Sequence, residues 1–504
     1  MANEFIIKNG FHSKGNSQIT GSLSITGISD VSASIAAASG GGGGSSGKLG
    51  ISDANGAYTY YTDLSSSMAA ASSGDTIEVF ADVIDESGKT VYLKNKVDIN
   101  LNGHTYQFQS ASAWNPLTDN SSTISCNIFN GVIAMSGSTG TLLKMGASGH
   151  NSTVRGDVIL TANDTSTYIV DYHSVLYGYK LSGLTIIGEN DADGLRSSNN
   201  SKIDNVKIFT ADGNGAYINV GEMRSSFIQT TGGTNSSYGV HLLGYIAGCT
   251  IVVEEGYGVS LQAGESSTVK RGVHDCSIYS NGNSGINATG NAPISNTTII
   301  TQGDLTPSGT GANGSTCYTG RTTTDPVKIT NCTFRSVTAP AIYSYLKPII
   351  LANCTVISEG DAVITGYNNS NFYLQAKDCF IQSDYDNADG NGIELSTSTN
   401  NEIVDCFIQT SGSGANALTP IGSSALTGLF ADNQFKGMTT PINTLVTQSF
   451  TNVPDEQGNM HITSSLNNSR VYSGSFSGSY VGDGSQLSGI SSGGATEEFV
   501  WFIA

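Results

Sequence analysis

Cutting a glycosidic bond takes two carboxyl groups, one acting as general acid and the other as base or nucleophile, roughly 5–9.5 Å apart. The sequence offers Asp191, Asp193 and Asp212 as one acidic set and Glu394 as an isolated acid. One repeat away from Glu394 stand Ile364 and Leu418, so no second acid is expected beside it. Glu254 and Glu255 are consecutive and would point to opposite faces of a strand. Catalytic residues therefore stay unassigned. Sugar binding asks for something different: aromatic faces for C–H surfaces and hydrogen-bonding neighbours for hydroxyls. Arg196, Tyr217, His241 and Tyr343 supply that mixture, with Glu394 further along.

Other motifs reduce to turn or linker chemistry. Gly43-Gly44-Ser45-Ser46-Gly47 fits G-x-S-x-G, but it lies in a glycine-rich linker and not between a strand and a helix. Glu189 to Gly194 has the composition of a calcium loop, yet its twelfth position is Asn200 where a bidentate Glu is needed. Asp384, Asp386 and Asp389 form a similar acidic turn. The seven His show no metal spacing, so no metal and no cofactor are expected.

The elements that must position these residues are repeats. Asn or Asp, then a small apolar residue, any residue and a large apolar one recur as Asn205-Val206-Lys207-Ile208, Asp275-Cys276-Ser277-Ile278, Asn331-Cys332-Thr333-Phe334 and Asp405-Cys406-Phe407-Ile408. The spacing of about 22–27 residues is that of a stacked solenoid. Alternation of period two within each unit makes the coils out of strands. A second strand follows about 11 residues later by the same count, as in Gly194-Leu195-Arg196, Gly239-Val240-His241 and Gly392-Ile393-Glu394. Leu195, Ala216, Val240, Val259, Ile286, Ile342 and Ile393 then share one interior column. Gly at this corner is expected to supply a positive φ. The step from Thr297 to Cys332 is expected to hold an insertion from about Gly303 to Asp325. Cys249, Cys276, Cys332, Cys354, Cys379 and Cys406 fall at one repeat position and are expected to stack inside as reduced thiols. The fold class is all-β: a right-handed, single-stranded parallel β-helix.

Composition agrees. Only 12% of the 504 residues are charged, 62 are Gly, and the hydrophobic share of 38% suffices for a core. The net charge of −19 disfavours nucleic acid. No apolar run reaches the roughly 20 residues of a membrane span, and no secretory signal is visible in Met1 to Gly10. Three regions emerge: 1–50, an attachment segment ending in a Gly-rich linker; 51–437, the β-helix; and 438–504, an assembly segment. Asp63 or Ser65 is expected to cap a short helix through Met68 and Ala71, before a strand from Thr76 to Phe80.

The helix, the Gly-Asp-Thr-Ile strand and the following Leu-Asn-Gly resemble the start of pectate-lyase-like β-helices. At the ends, Gly21-Ser22-Leu23-Ser24-Ile25, Gly474-Ser475-Phe476-Ser477-Gly478 and Gly482-Asp483-Gly484-Ser485 resemble shaft repeats of tailed-phage fibres. Together these are similar to tail-fibre or tailspike proteins of phages or phage-like particles. That resemblance implies a homotrimer located in the virion and assembled in the host cytoplasm. It also implies terminal segments that meet other virion proteins, and attachment to host surface polysaccharide. Two alternatives stand beside this structural reading: a depolymerase, hydrolase or lyase, cleaving surface polysaccharide; and a cellular β-helix adhesin or lyase. The ladders of Arg and acid expected from pectate lyases are missing.

Overall fold

The computed structural model describes residues 47–437 and the strand Val446–Thr447, apart from 54, 111–113, 120–123, 138–139, 147–151, 164–167, 174–179, 199–200, 233–236, 263, 265–269, 303–314, 316, 320–324, 346, 367–371, 387–388, 396–400 and 422–425. The attachment and assembly segments expected at 1–50 and 438–504 fall almost wholly outside the described residues.

Helix α1, Leu64–Ala70, caps the start; the Asp63 carboxylate accepts from the Ser66 amide at 2.6 Å. Leu64 and Met68 are buried against the first coils. The Tyr106 hydroxyl accepts from the Leu64 amide at 2.9 Å, tying cap to barrel. Strand Leu49–Ser52 pairs antiparallel with Tyr58–Tyr61 and with Thr76–Val79, and from Thr76–Val79 onward the chain coils.

Each coil lays down three strands. Thr185–Gly188, Leu195–Ser198 and Lys202–Asp204 make one coil, and Lys207–Thr210 returns to pair in parallel with Thr185–Gly188. Repetition builds three parallel faces. Face 1 has 15 strands and ends at Gln434–Lys436; face 2 has 14 and ends at Leu418–Pro420; face 3 joins the antiparallel start in an 18-stranded sheet. The expected parallel β-helix is therefore the observed fold.

Alternation sends every second side chain inward. Leu195, Ala216, Val240, Val259, Ile286, Ile342 and Ile393 are all fully buried, in register from strand to strand. A column that sequence reading had not singled out runs along the end of face 1. Thr210, Thr230, Ser280, Thr301, Ser336, Ser358, Ser383 and Thr410 are buried hydroxyls. Several serve the turn that follows: Thr210 Oγ1 donates to the Gly213 carbonyl at 3.1 Å and Ser280 Oγ to that of Asn283 at 3.2 Å.

The cysteine column lies inside. All eight Cys are buried and free. In the column each thiol donates to the carbonyl two residues earlier, as Cys276 to His274 at 3.1 Å and Cys379 to Lys377 at 3.2 Å. Burial pushes the thiols of Cys126 and Cys317 up to about 12.

Three expectations are corrected. The positive φ sits on the Asx residue before face 1, not on the glycine before face 2. Asn205, Asp275, Asn331, Asn353, Asp378 and Asp405 have φ between 53° and 55°. Asn and Asp tolerate this region because their side chains bond locally. Asn331 and Asp275 are also bridged across coils by Asn296, at the same repeat position: Asn331 Nδ2 donates to Asn296 Oδ1 at 3.1 Å, and Asn296 Nδ2 to Asp275 Oδ1 at 3.0 Å. The glycines before face 2 are needed for room. A Cβ on Gly215 would lie 2.4 Å from Ile228 Cγ2 and 2.5 Å from the Gly239 carbonyl oxygen. Second, the presumed insertion contains a face-2 strand, Cys317–Thr319, which puts Cys317 in the Ile286–Ile342 column. Third, Glu254 and Glu255 follow their strand in an exposed bend, so strand alternation does not govern them.

Candidate functional site

Face 2 carries the candidate residues. Its outward column reads Asp171, Arg196, Tyr217, His241, Ser260, Asn287, Tyr318, Tyr343, Thr365, Glu394 and Thr419. Arg196, Tyr217 and His241 are therefore rung neighbours, as the repeat implied. The neighbours of Glu394 are Thr365 and Thr419; Ile364 and Leu418 pair with Ile393 and point inward.

The first half is an aromatic cluster. The Tyr217 ring stacks on His241 at 4.6 Å with 16° between planes. Tyr238 meets His241 edge-on at 5.4 Å and stacks on Tyr257 at 5.5 Å. The Arg196 guanidinium lies 5.9 Å from the centre of the Tyr168 ring and 4.0 Å from Asp171. Burial, with the Asp193 carboxylate close by, pushes the Tyr168 hydroxyl up to about 12. Burial also lowers the pKa of His241, so neutral pH leaves its imidazole uncharged.

Asp193 belongs to the corner that holds this cluster. Its Oδ1 accepts from both the amide and the side-chain nitrogen of Asn214, at 2.7 and 3.0 Å, and Asn214 Oδ1 in turn accepts from the Tyr238 amide at 2.9 Å. Burial holds the Asp193 carboxyl above its ordinary range. Asp191 and Asp212 are exposed; the Asp212 amide donates to the Asn190 carbonyl in the coil below. Asp193 is thus the half-buried member of the set and works as a corner bond.

The second half is acidic. Asn391 Nδ2 donates to Glu394 Oε1 at 2.7 Å, while Asn391 Oδ1 accepts from the Asn416 amide at 2.7 Å. Burial raises the pKa of Glu394, helped by the charges of Asp361 and Asp389. Burial and Asp389 raise Asp361 likewise. Among the described residues no basic side chain forms an ion pair with any of the three. Beside Glu394, Thr365 is 7% exposed and its Oγ1 has no hydrogen-bond partner. Between the halves Tyr318 stacks on Tyr343 at 6.0 Å. Tyr343, expected as a sugar-contact residue, is only 7% exposed, so Tyr318 presents more of this pair.

Sequence reading missed Tyr168, Tyr238, Tyr257, Tyr318 and Asp361, and took Asp389 for turn chemistry alone. Tyr238 and Tyr257 stand directly before the repeat glycines Gly239 and Gly258, which was a usable signal. Asp361 and Asp389 each precede an inward isoleucine by three or four residues, at the same corner of successive coils.

Lys347 is buried and explained by structure alone. Its Nζ donates to the carbonyls of Thr289 at 3.2 Å and Gly290 at 2.5 Å, reaching across the coil that carries Cys317. Burial pushes its pKa down to about 8.

No protein-family model matches the chain, and no curated protein does. Among solved structures, the A-module of mannuronan C-5 epimerase AlgE4 from Azotobacter vinelandii is similar at TM-score 0.39 and 12% identity. It spans 65% of this chain and 90% of that one. The AlgE6 A-module of the same organism is similar at TM-score 0.29 and 13% identity, over 74% and 86%. A likeness at this level carries nothing about activity.

Proposed function

We propose that this protein is a structural fibre or spike of a virion, built as a homotrimer, that binds host surface polysaccharide along the outward column of face 2. The observation that supports it best is the Tyr217–His241 stack flanked by Arg196 and Asp171. Flat rings offer a surface to the C–H face of a sugar, and the charged neighbours offer one donor fork and one acceptor for its hydroxyls. Strands hold these groups rigidly, so little ordering entropy is lost on binding. A single shallow site binds weakly, and three copies add avidity. The terminal segments are proposed to meet other virion proteins. Assembly in the host cytoplasm suits a chain with free buried thiols.

The test is polysaccharide binding by the purified full chain. Tyr217→Ala with His241→Ala should abolish retention on host polysaccharide while strand content and melting stay unchanged. Unchanged retention would remove face 2 from consideration.

A depolymerase reading rests on one observation: Glu394 and Asp361 are half-buried carboxyls held above their ordinary range, as a general acid must be. Release of reducing ends or unsaturated sugars by wild-type protein, lost in Glu394→Gln, would favour it over simple binding.

A further inference from the structure

The three faces differ in what they present outward. Face 3 carries charge in two places, with Lys202, Asp204, Glu222 and Arg224 on one adjacent pair of strands and Lys377 and Glu402 on another. Face 2 is the polar and aromatic column described above. Face 1 is neither. From Thr105–Gln109 to Gln434–Lys436 its outward strand positions hold no acidic residue, in a chain with 41. They hold Ile187, Phe209, Phe227, Val252, Tyr279 and Ile300 in the middle, and Phe380 stacked on Phe407 at 5.4 Å near the end. Tyr279 is 41% exposed. Acids return only at the turns beside this face, as Glu189, Asp212, Glu254, Glu359 and Asp384.

We infer that face 1 is the surface along which copies of this chain pack against one another. It gives a contact to the homotrimer of the proposed function, on which only the number of copies rests. Size supports it. Fifteen strands about 4.8 Å apart, each about four residues of 3.3 Å, give roughly 800–900 Å² per copy. A stable interface needs about 800 Å² per partner. Charge supports a second copy as the occupant. Two chains of net charge −19 repel each other unless they meet on a surface cleared of acids. An apolar middle with a polar, charged rim is also how interface cores are built. A cleft of about 310 Å³ opens at the edge of the face, lined by Ile187, Phe209, Gln229 and Thr231 and, from the turn, by Glu189 and Asn190, and can receive a protruding side chain.

The experiment is sedimentation of the full chain over a range of concentrations, with lysine acylation as a footprint. Wild type should sediment as an oligomer, with Lys207 on face 1 protected and Lys202 on face 3 labelled freely. Phe227→Asp should weaken self-association about thirtyfold or more, with Ile300→Asp adding to it, while Glu222→Lys changes little. If these variants fail to fold, the wild-type footprint decides alone. A wild-type monomer, an oligomer that leaves Lys207 as reactive as its monomer, or assembly broken by Glu222→Lys but not by Phe227→Asp overturns the inference. Oligomers protected on face 1 that retain no polysaccharide would sink the binding reading and leave this one standing.

Discussion

At the scale of single residues, the half-buried Glu394 makes the clearest prediction. Burial raises the pKa of Glu394 in the folded chain, so ionising it there costs more than in the unfolded chain. Below the unfolded value both states are protonated and the penalty is absent. As pH rises through the folded value, stability is lost. Glu394→Gln, which keeps an oxygen for Asn391, should therefore leave melting unchanged in acid and raise it near neutrality; a calorimetric pH series measures this. The thiols make a second prediction. Native protein should leave Cys249, Cys276, Cys354, Cys379 and Cys406 unlabelled by a maleimide until it is unfolded, because each is 1–2% exposed. The cysteine column was legible in the sequence because equal spacing at one repeat position has one simple geometric meaning. The Glu394 surroundings were not, because Asp361 and Asp389 reach it from corners whose lengths vary from coil to coil.

At the scale of the element, the two kinds of corner fail differently. Gly215→Ala puts a methyl against a backbone carbonyl of the next coil, and backbone cannot swing aside. A loss of about 1–3 kcal/mol is expected, as for other overpacked cores, read as a fall in the denaturation midpoint. Asp378→Ala keeps the space but places a Cβ residue without a local hydrogen bond at φ 53°. About 1–2 kcal/mol is expected there, and Asp378→Gly should recover most of it. Both corners were visible as recurring letters in the repeat. The reason for the glycine was misassigned, because glycine answers to a positive φ and to close approach alike, and a sequence shows the residue without the neighbour that crowds it. The hidden strand Cys317–Thr319 had a different cause: two loops enclose it, so its period was broken on both sides.

At the scale of the whole molecule, the charge layout sets a sign for assembly. With acids confined to the rims of face 1 and to the other faces, added salt screens repulsion between copies and leaves the apolar contact intact. Self-association should strengthen from low to moderate ionic strength, as light scattering can follow. The three faces were only half legible: inward positions follow from alternation, but which outward stripe is bare of charge emerges only once all coils are in register. That register has a further consequence. Beyond the first strands, the described strands of each coil pair with the coil just before and the coil just after. A growing chain emerging from the ribosome can thus lay each new coil on a finished one, with α1 made early and closing the first end. Stability sums over neighbouring coils, so a chain released early would keep a folded stump with a bare last coil. Such a stump is a template ready to accept a strand from elsewhere, which makes truncated products an aggregation hazard of this architecture.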